Sequence, residues 1–436
     1  MTAKEPVTFD GARDFAIEIA KATAGRLGKR ILLVRDLRGK IRALLPLGRT
    51  DLDPQILAEF QNQLSSALGA YGYLPPERGV LFGEDLSQAD RPDWKRDVRE
   101  VFTDDKLTIG FLDRQIVAHD WSRGVLQRRT KNPRVTFFAI KGGVGRSTAL
   151  VNWAWRCARG GKRVLIFDLD LEAPGVSSTL LPAELMPDFG IVDWFVEDAV
   201  GQAAVVEPSM IASSPLTRLL PGDALVVPAY GRKTGDYLAK YARCYAEFSG
   251  GRYVPLAERM HHLVETFEER EQPDVVVLDS RSGLHDIAAI LVTRLQADAL
   301  LFAVDSSQTW AAYSFLFAEW RQHPQVREFR KRLQIVAGMV PETGRDQYLR
   351  RFRERAWDLF RDHLYDEARP EDGDAFSFDV NDEEAPHYPL PIFWHRALQD
   401  FEPARSEAGI DARTAEEALG VFMEGLDRLV FAGAYD

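Results

Sequence analysis

Short, continuous apolar runs alternate with amphipathic stretches along most of this chain. Val135–Ile140, Val164–Phe167, Ala224–Pro228, Val275–Leu278, Ala299–Val304 and Leu333–Val340 are apolar without alternation. That pattern predicts strands buried on both faces, as in a parallel sheet. Tyr388–Phe393 reads as a final short strand. Helical periodicity fills the intervals. From Ser147, Ala149, Leu150, Trp153 and Ala154 share one face, and Gly160-Gly161 supplies a stop. Ser306–Trp320 carries Thr309, Trp310, Tyr313 and Phe317 at helical spacing, and Gln347–His363 carries Leu349, Phe352, Ala356, Leu359 and Phe360. A closing helix starts at Asp411 or Thr414, with Ala418, Val421, Phe422, Leu426 and Val430 inward. Strands alternating with helices over residues 134–436 predict an α/β fold, a doubly wound and mostly parallel sheet.

The first part of the chain has a different rhythm. Residues 12–27 read as a helix with Phe15, Ile17, Ile19 and Ala20 apolar. Arg30–Val34 and Lys40–Leu47 read as a hairpin around Asp36–Gly39. Asp53 caps a helix with Pro54 in its first turn and Ile56, Leu57, Phe60, Leu64 and Leu68 on its apolar face. A short strand at Gly79–Phe82 follows, then a second hairpin, Leu107–Leu112 with Gln115–Ala118, turning at Asp113-Arg114. Residues 1–126 thus form a small α+β domain without a catalytic motif, suited to docking or regulation. Trp121 and the Asp113-Arg114 tip are either a partner contact or ordinary turn chemistry. Residues 127–133 (QRRTKNP) are the linker; Arg128, Arg129 and Lys131 there either touch nucleic acid or are simply solvated.

One junction carries chemistry. The strand ending at Ile140 runs into Lys141–Arg146, a glycine-rich loop, and Ser147 opens the helix. Gly142, Gly143 and Gly145 lack Cβ atoms, so the backbone there can curl and aim its N–H groups inward. The helix adds its positive dipole end. Arg146 offers a forked cation for phosphate oxygens, and Ser147 a hydroxyl suited to Mg²⁺. The next strand ends in Asp168 and Asp170, which could hold metal-bound water and polarise an attacking water. A second strand, Val275–Leu278, ends in Asp279, placing another carboxylate where Mg²⁺ can be held through water.

The run KGGVGRST, with DLDLEAPG after the next strand, resembles the deviant Walker A motif of ParA/MinD-type P-loop ATPases, in a subgroup with arginine where the family usually has lysine. The resemblance spans Arg134 to the C-terminus and is strongest up to Gly283. It implies a P-loop NTPase domain that uses ATP and Mg²⁺, with Gly142, Gly143, Val144, Gly145, Arg146, Ser147 and Thr148 around the nucleotide. It implies further that Lys141 reaches across an ATP-sandwich homodimer. Ser147 and Asp168 then serve Mg²⁺, with Asp279 as the Walker B acid, and Asp170 orients the attacking water. DSRSG, Asp279–Gly283, resembles switch II, where Gly283 lets the loop change shape. Arg281 either senses phosphate, pairs across a dimer, or bridges to Asp286 or Glu172. Where the family often carries an Asn that reads adenine, this chain has Gly338, Met339, Val340 and Pro341; Trp394, after the last strand, could stack on the base instead.

Composition narrows the picture. The net charge is −11: residues 1–133 carry 22 Lys/Arg against 19 Asp/Glu, residues 134–436 carry 33 against 47. A surface that coats nucleic acid is disfavoured, leaving Arg345, Arg350, Arg351, Arg353 and Arg355 as a local patch, interleaved with acids as a solvated helix would be. Lys233 and Lys240 read as surface charges, and Glu371–Glu384 as an acidic loop. Cys157 and Cys244 lack metal spacing, the N-terminal segment is no signal peptide, and no apolar run could span a bilayer, so a bacterial cytoplasmic location is expected and no membrane. The leading expectation is a Mg-ATP-dependent switch that hydrolyses ATP slowly as a homodimer and controls a protein partner through residues 1–126, in defence or regulation. The alternatives are a nucleotide-locked scaffold without turnover and a ParA-like DNA-binding partition protein.

Overall fold

The computed structural model describes residues 6–23, 25–86, 92, 94, 98–115, 117–123, 130–323, 325–367, 375–405 and 409–431. The chain divides into two compact units, Met1–Gly124 and Val125–Asp436. Of the expected linker, residues 127–129 lie outside the described residues, as do 371–374 of the acidic loop.

In the first unit, α1 (Phe9–Ala22) and α2 (Pro54–Leu68) pack on a five-stranded sheet of order β3-β2-β1-β5-β4. Its strands are β1 (Arg30–Arg35), β2 (Ile41–Leu45), β3 (Val80–Phe82), β4 (Arg99–Thr103) and β5 (Thr108–Asp113). The β1–β2 hairpin forms as expected, and Asp53 caps α2 by accepting from the Gln55 N–H. Two expectations need correction, the first at Phe15 only, since Ile17, Ile19 and Ala20 do pack on the core. The buried stripe of α1 is Ala12, Ala16 and Ala20, whereas Phe15 is about half exposed; small residues let the helix lie close to the sheet. The second hairpin is β4–β5, joined at 104–107, where Asp104 accepts the N–H groups of Lys106 and Leu107. Asp113 instead ends β5, which lies parallel to β1, and Arg35 of β1 bridges to it. The expected return strand Gln115–Ala118 is absent among the described residues; Ile116 lies outside them.

The second unit is a doubly wound α/β domain. Its strands are β6 (Arg134–Ala139), β7 (Arg163–Leu169), β8 (Ala212–Ser213), β9 (Asp223–Val227), a separate ribbon of β10 (Phe248–Ser249) and β11 (Arg252–Tyr253), then β12 (Val275–Ser280), β13 (Asp298–Ala303), β14 (Leu333–Val340) and β15 (Leu390–Phe393). The main sheet runs β15-β14-β13-β6-β12-β7-β9-β8, parallel except for β8 on its edge. The apolar runs are buried throughout, as central parallel strands require.

Helices cover both faces. α3 (Arg146–Arg159) and the closing helix pack on one side with Phe137, Val164, Ile166 and Val277. The short α4 (Val176–Leu180) joins that same side, while α5 (Ile191–Ala199), α6 (Tyr237–Cys244) and α7 (Leu256–Glu271) surround Leu165, Phe167 and Leu278 on the other. The short α8 (Asp286–Ala289), α9 (Ser307–Arg321), α10 (Val326–Phe329), α11 (Arg345–His363) and α12 (Ala412–Phe431) complete the domain. Val421 of α12 faces out, while Ala418, Phe422, Leu426 and Val430 are buried. The strand order reverses at β6, since β7 and β9 lie to one side and β13, β14 and β15 to the other. Such a switch point opens a crevice at the carboxyl ends of the strands, where open α/β sheets place ligands. No described helix is long and apolar enough to cross a membrane.

Candidate phosphate and metal site

The loop after β6 lies at that crevice. Gly143 and Gly145 take positive φ angles of 73° and 83°, conformations that a side chain would strain. Gly145 precedes the first turn of α3, so the helix dipole and the loop N–H groups converge. At its far end Gly161 is left-handed and the Lys162 N–H returns to the Cys157 carbonyl, the stop that the Gly-Gly pair foretold.

β14 buttresses the loop. A Cβ on Gly338 would lie 2.3 Å from the Val144 carbonyl oxygen, so glycine alone allows this approach. The next residue, Met339, has φ 54° at an irregularity in the β14–β15 pairing. Backbone held in this sparsely populated region clusters at ligand sites. Met339 and Ile392 are the side chains nearest a Cβ built on Gly145, both at 3.8 Å. Trp394 begins the turn after β15, half-buried, its N–H bonded to the Val340 carbonyl.

Two strand-end acids meet beside the loop. Asp168 and Asp279 are direct neighbours in the β7–β12 register. Both are buried, as is Asp170. Asp168 Oδ2 accepts from the Ser177 N–H (3.0 Å) and hydroxyl (2.5 Å). Ser177 carried no signal in the sequence; it lies in the first turn of α4, the short helix that follows the turn after β7. Asp170 Oδ1 accepts the Ala173 N–H at 3.2 Å, shaping the turn after β7.

Arg146 sits among these acids. Its Nε lies 3.1 Å from Asp279 Oδ1, its Nη2 donates to Asp170 Oδ2 at 3.3 Å, and its Nη1 donates to the Ser282 hydroxyl at 3.1 Å. One buried cation thus contacts two of three buried carboxylates. Burial pushes the Asp279 carboxyl well above its ordinary value, with Arg146 pulling it back and Asp168 and Asp170 pushing further. Asp168 moves the same way through burial, opposed by Ser177. Asp168 Oδ1 and Asp279 Oδ1 are buried and accept no well-aligned hydrogen bond from any described residue. A hard divalent cation with its waters fits that donor set, and Ser147, at the start of α3, is the third oxygen the sequence offers.

The other expected site residues lie further out. Lys141 hydrogen-bonds Gln308 at the start of α9. Arg281 bridges to Glu172, which also accepts from the Tyr241 hydroxyl, and approaches His285 at 3.4 Å. Of the options left open for Arg281, the structure therefore has the Glu172 pair, and that pair joins the loop after β12 to the loop after β7. The Tyr237 hydroxyl donates to the Leu171 carbonyl, so α6 holds the same loop through two tyrosines that sequence reasoning missed. Lys240 is not a plain surface charge: it meets the buried Asp193 at 2.5 Å.

The arginines of α11 are largely engaged. Arg351 and Arg355 both bridge to the buried Asp305, and Arg345 and Arg353 lie over the rings of Phe393 and Tyr388. Four of the five arginines of the candidate patch are thus held by an ion pair or an aromatic ring within the chain.

No protein-family model and no curated protein matches this chain. Similar solved structures, all at low identity, include plasmid partition proteins and a cell division ATPase. A plasmid partition protein from Borrelia burgdorferi matches 68% of this chain and 100% of its own at 15% identity, TM-score 0.39. The Pyrococcus furiosus cell division ATPase MinD matches 68% and 99% at 16% identity, TM-score 0.41. The ParA of pNOB8, solved bound to nonspecific DNA, matches 69% and 97% at 14% identity, TM-score 0.43.

Proposed function

We propose that this chain is a Mg-ATP-dependent molecular switch of the ParA/MinD type. The observation that carries the reading is the set of in-register acids Asp168 and Asp279 beside a loop whose glycines hold positive φ at a helix start. The N–H groups of residues 142–148 and the dipole of α3 would bind the β- and γ-phosphates. Ser147, Asp168 and Asp279 would hold Mg²⁺, which supplies charge neutralisation at the phosphate oxygens. Asp170 would then orient an attacking water, a role open to it once Arg146 turns from the carboxylate to phosphate. Lys141 would exchange Gln308 for the partner subunit's nucleotide in a homodimer. The Arg281–Glu172 bridge ties the two loops that border this site, so a change at either would reach α6 through Tyr237 and Tyr241. The first unit would dock the protein partner, and Trp394 would border the base. A bacterial cytoplasmic location suits such a switch.

A second reading has an observation of its own. Asp170, the residue assigned to the attacking water, is held by Arg146, and a protein that kept this pair with ATP bound would be a nucleotide-locked scaffold. Phosphate release separates the two. For the switch, the wild type releases phosphate slowly and roughly doubles its mass by light scattering with Mg-ATP. Asp170→Ala should lose turnover and stay dimeric with ATP. Tight ATP binding without turnover selects the scaffold; the absence of both turnover and an ATP-dependent change in mass contradicts the switch.

A further inference from the structure

We propose that Arg146 is a built-in counter-cation that competes with the divalent metal for Asp279 while it also holds Asp170, so that metal is admitted only when phosphate draws the guanidinium away. The inference rests on the phosphate-site reading but concerns this chain's own side chain.

The argument starts from charge. Asp168, Asp170, Asp279 and Arg146 are each less than a tenth exposed. Three like charges at such depth repel and lack water, and each needs a cation close by. The guanidinium is the cation in contact with two of them. Its planar fork is what makes that possible: Nε faces Asp279, Nη2 faces Asp170, and Nη1 faces the Ser282 hydroxyl. A lysine ammonium is a single point charge and could not meet all three directions at once. The arginine therefore does something at this position that a lysine would do less well. It occupies Asp279, a carboxylate a metal would use, and Asp170 beside it.

The clamp is also incomplete, which is what makes exchange feasible. Arg146 Nε and Asp279 Oδ1 pair at 3.1 Å without good hydrogen-bond alignment, and Asp168 Oδ1 has no well-aligned donor among the described residues. Both oxygens stay buried and under-satisfied, a condition that favours a better cation when one can be paid for by releasing Arg146 to another anion. Phosphate at the loop is that anion, since α3 begins at Arg146 itself and the side chain leaves the backbone beside the glycines. Metal without phosphate would strand a buried guanidinium.

The test uses Mn²⁺ alone, with no nucleotide, read by the free-ion electron paramagnetic resonance signal on the full chain. Arg146→Met removes the competitor. Arg146→Lys shortens its reach and keeps the charge, and it decides the matter if the Met variant does not fold. Both are expected to bind Mn²⁺ about tenfold or more tightly than the wild type, with Met the tighter, and Mn²⁺ should raise the melting temperature of the variants but not of the wild type. Unchanged Mn²⁺ affinity in the folded variants overturns the inference. A wild type that fails to bind ATP would instead remove the phosphate-site reading and leave the Mn²⁺ comparison to stand by itself.

Discussion

Gly338→Ala is expected to cripple nucleotide binding without touching any residue that would contact the nucleotide. The added methyl would lie 2.3 Å from the Val144 carbonyl oxygen and 3.3 Å from its carbon. Neither atom is the free end of a side chain, so backbone must move. Because β14 is paired on both sides, to β13 and β15, the loop is the element that yields. A displacement near 1 Å in a cradle of this kind costs on the order of a hundredfold in affinity or rate. Overpacking would also lower stability by about 1–3 kcal/mol. Calorimetry with Mg-ATP and urea unfolding separate these effects. Affinity that survives in a folded Gly338→Ala protein would mean that Val144 is not part of the cradle.

The largest stability effect is expected at the opposite end of the same strand from the loop. Arg134 opens β6 and meets Glu268 of α7 in a two-pronged pair, Nη2 to Oε2 at 2.5 Å and Nε to Oε1 at 3.0 Å, while Nη1 donates to the Leu295 carbonyl. Both side chains are about 95% or more buried. Glu268→Ala leaves the guanidinium without its counter-charge in the interior, which costs about 3–5 kcal/mol. Replacing both residues, Arg134→Met with Glu268→Leu, should recover most of that loss, because apolar groups of similar size need no partner. Denaturant midpoints of the second unit's transition check both. If Glu268→Ala unfolds at the wild-type midpoint, the pair is not buried as described.

Much of the second unit was legible because its strands are buried on both faces. A run such as Val275–Leu278 has only one reading once Pro273 and Asp279 bound it. The glycine loop was legible for a related reason: few backbone shapes need three glycines between a strand and a helix. What sequence could not show was pairing between distant segments. Nothing local says that β12 inserts between β6 and β7, yet that insertion sets Asp279 beside Asp168. In the first unit, Asp104-Asp105-Lys106 and Asp113-Arg114 are equally turn-like, and the choice is made by β5 lying parallel to β1, a long-range contact. Tyr237 and Tyr241 were missed for the same reason, since each acts on a loop far away in sequence, and Ser177 because its bond to Asp168 depends on how the turn after β7 folds. Arg146 was read as a phosphate ligand from its place in the motif. Its contacts with Asp170 and Asp279 depend on side-chain direction, which spacing alone does not fix.

The central claim is that the loop from Ile140 to Ser147 grips a triphosphate with magnesium held by acids from two adjacent strands. Isothermal titration of the purified, folded chain with ATP tests it most directly, run with and without Mg²⁺ and repeated for Asp279→Asn. The account predicts saturable binding at one site per chain that weakens about tenfold or more when Mg²⁺ is withheld or Asp279 is neutralised. Heat changes indistinguishable from dilution, or binding indifferent to both magnesium and Asp279, would contradict it.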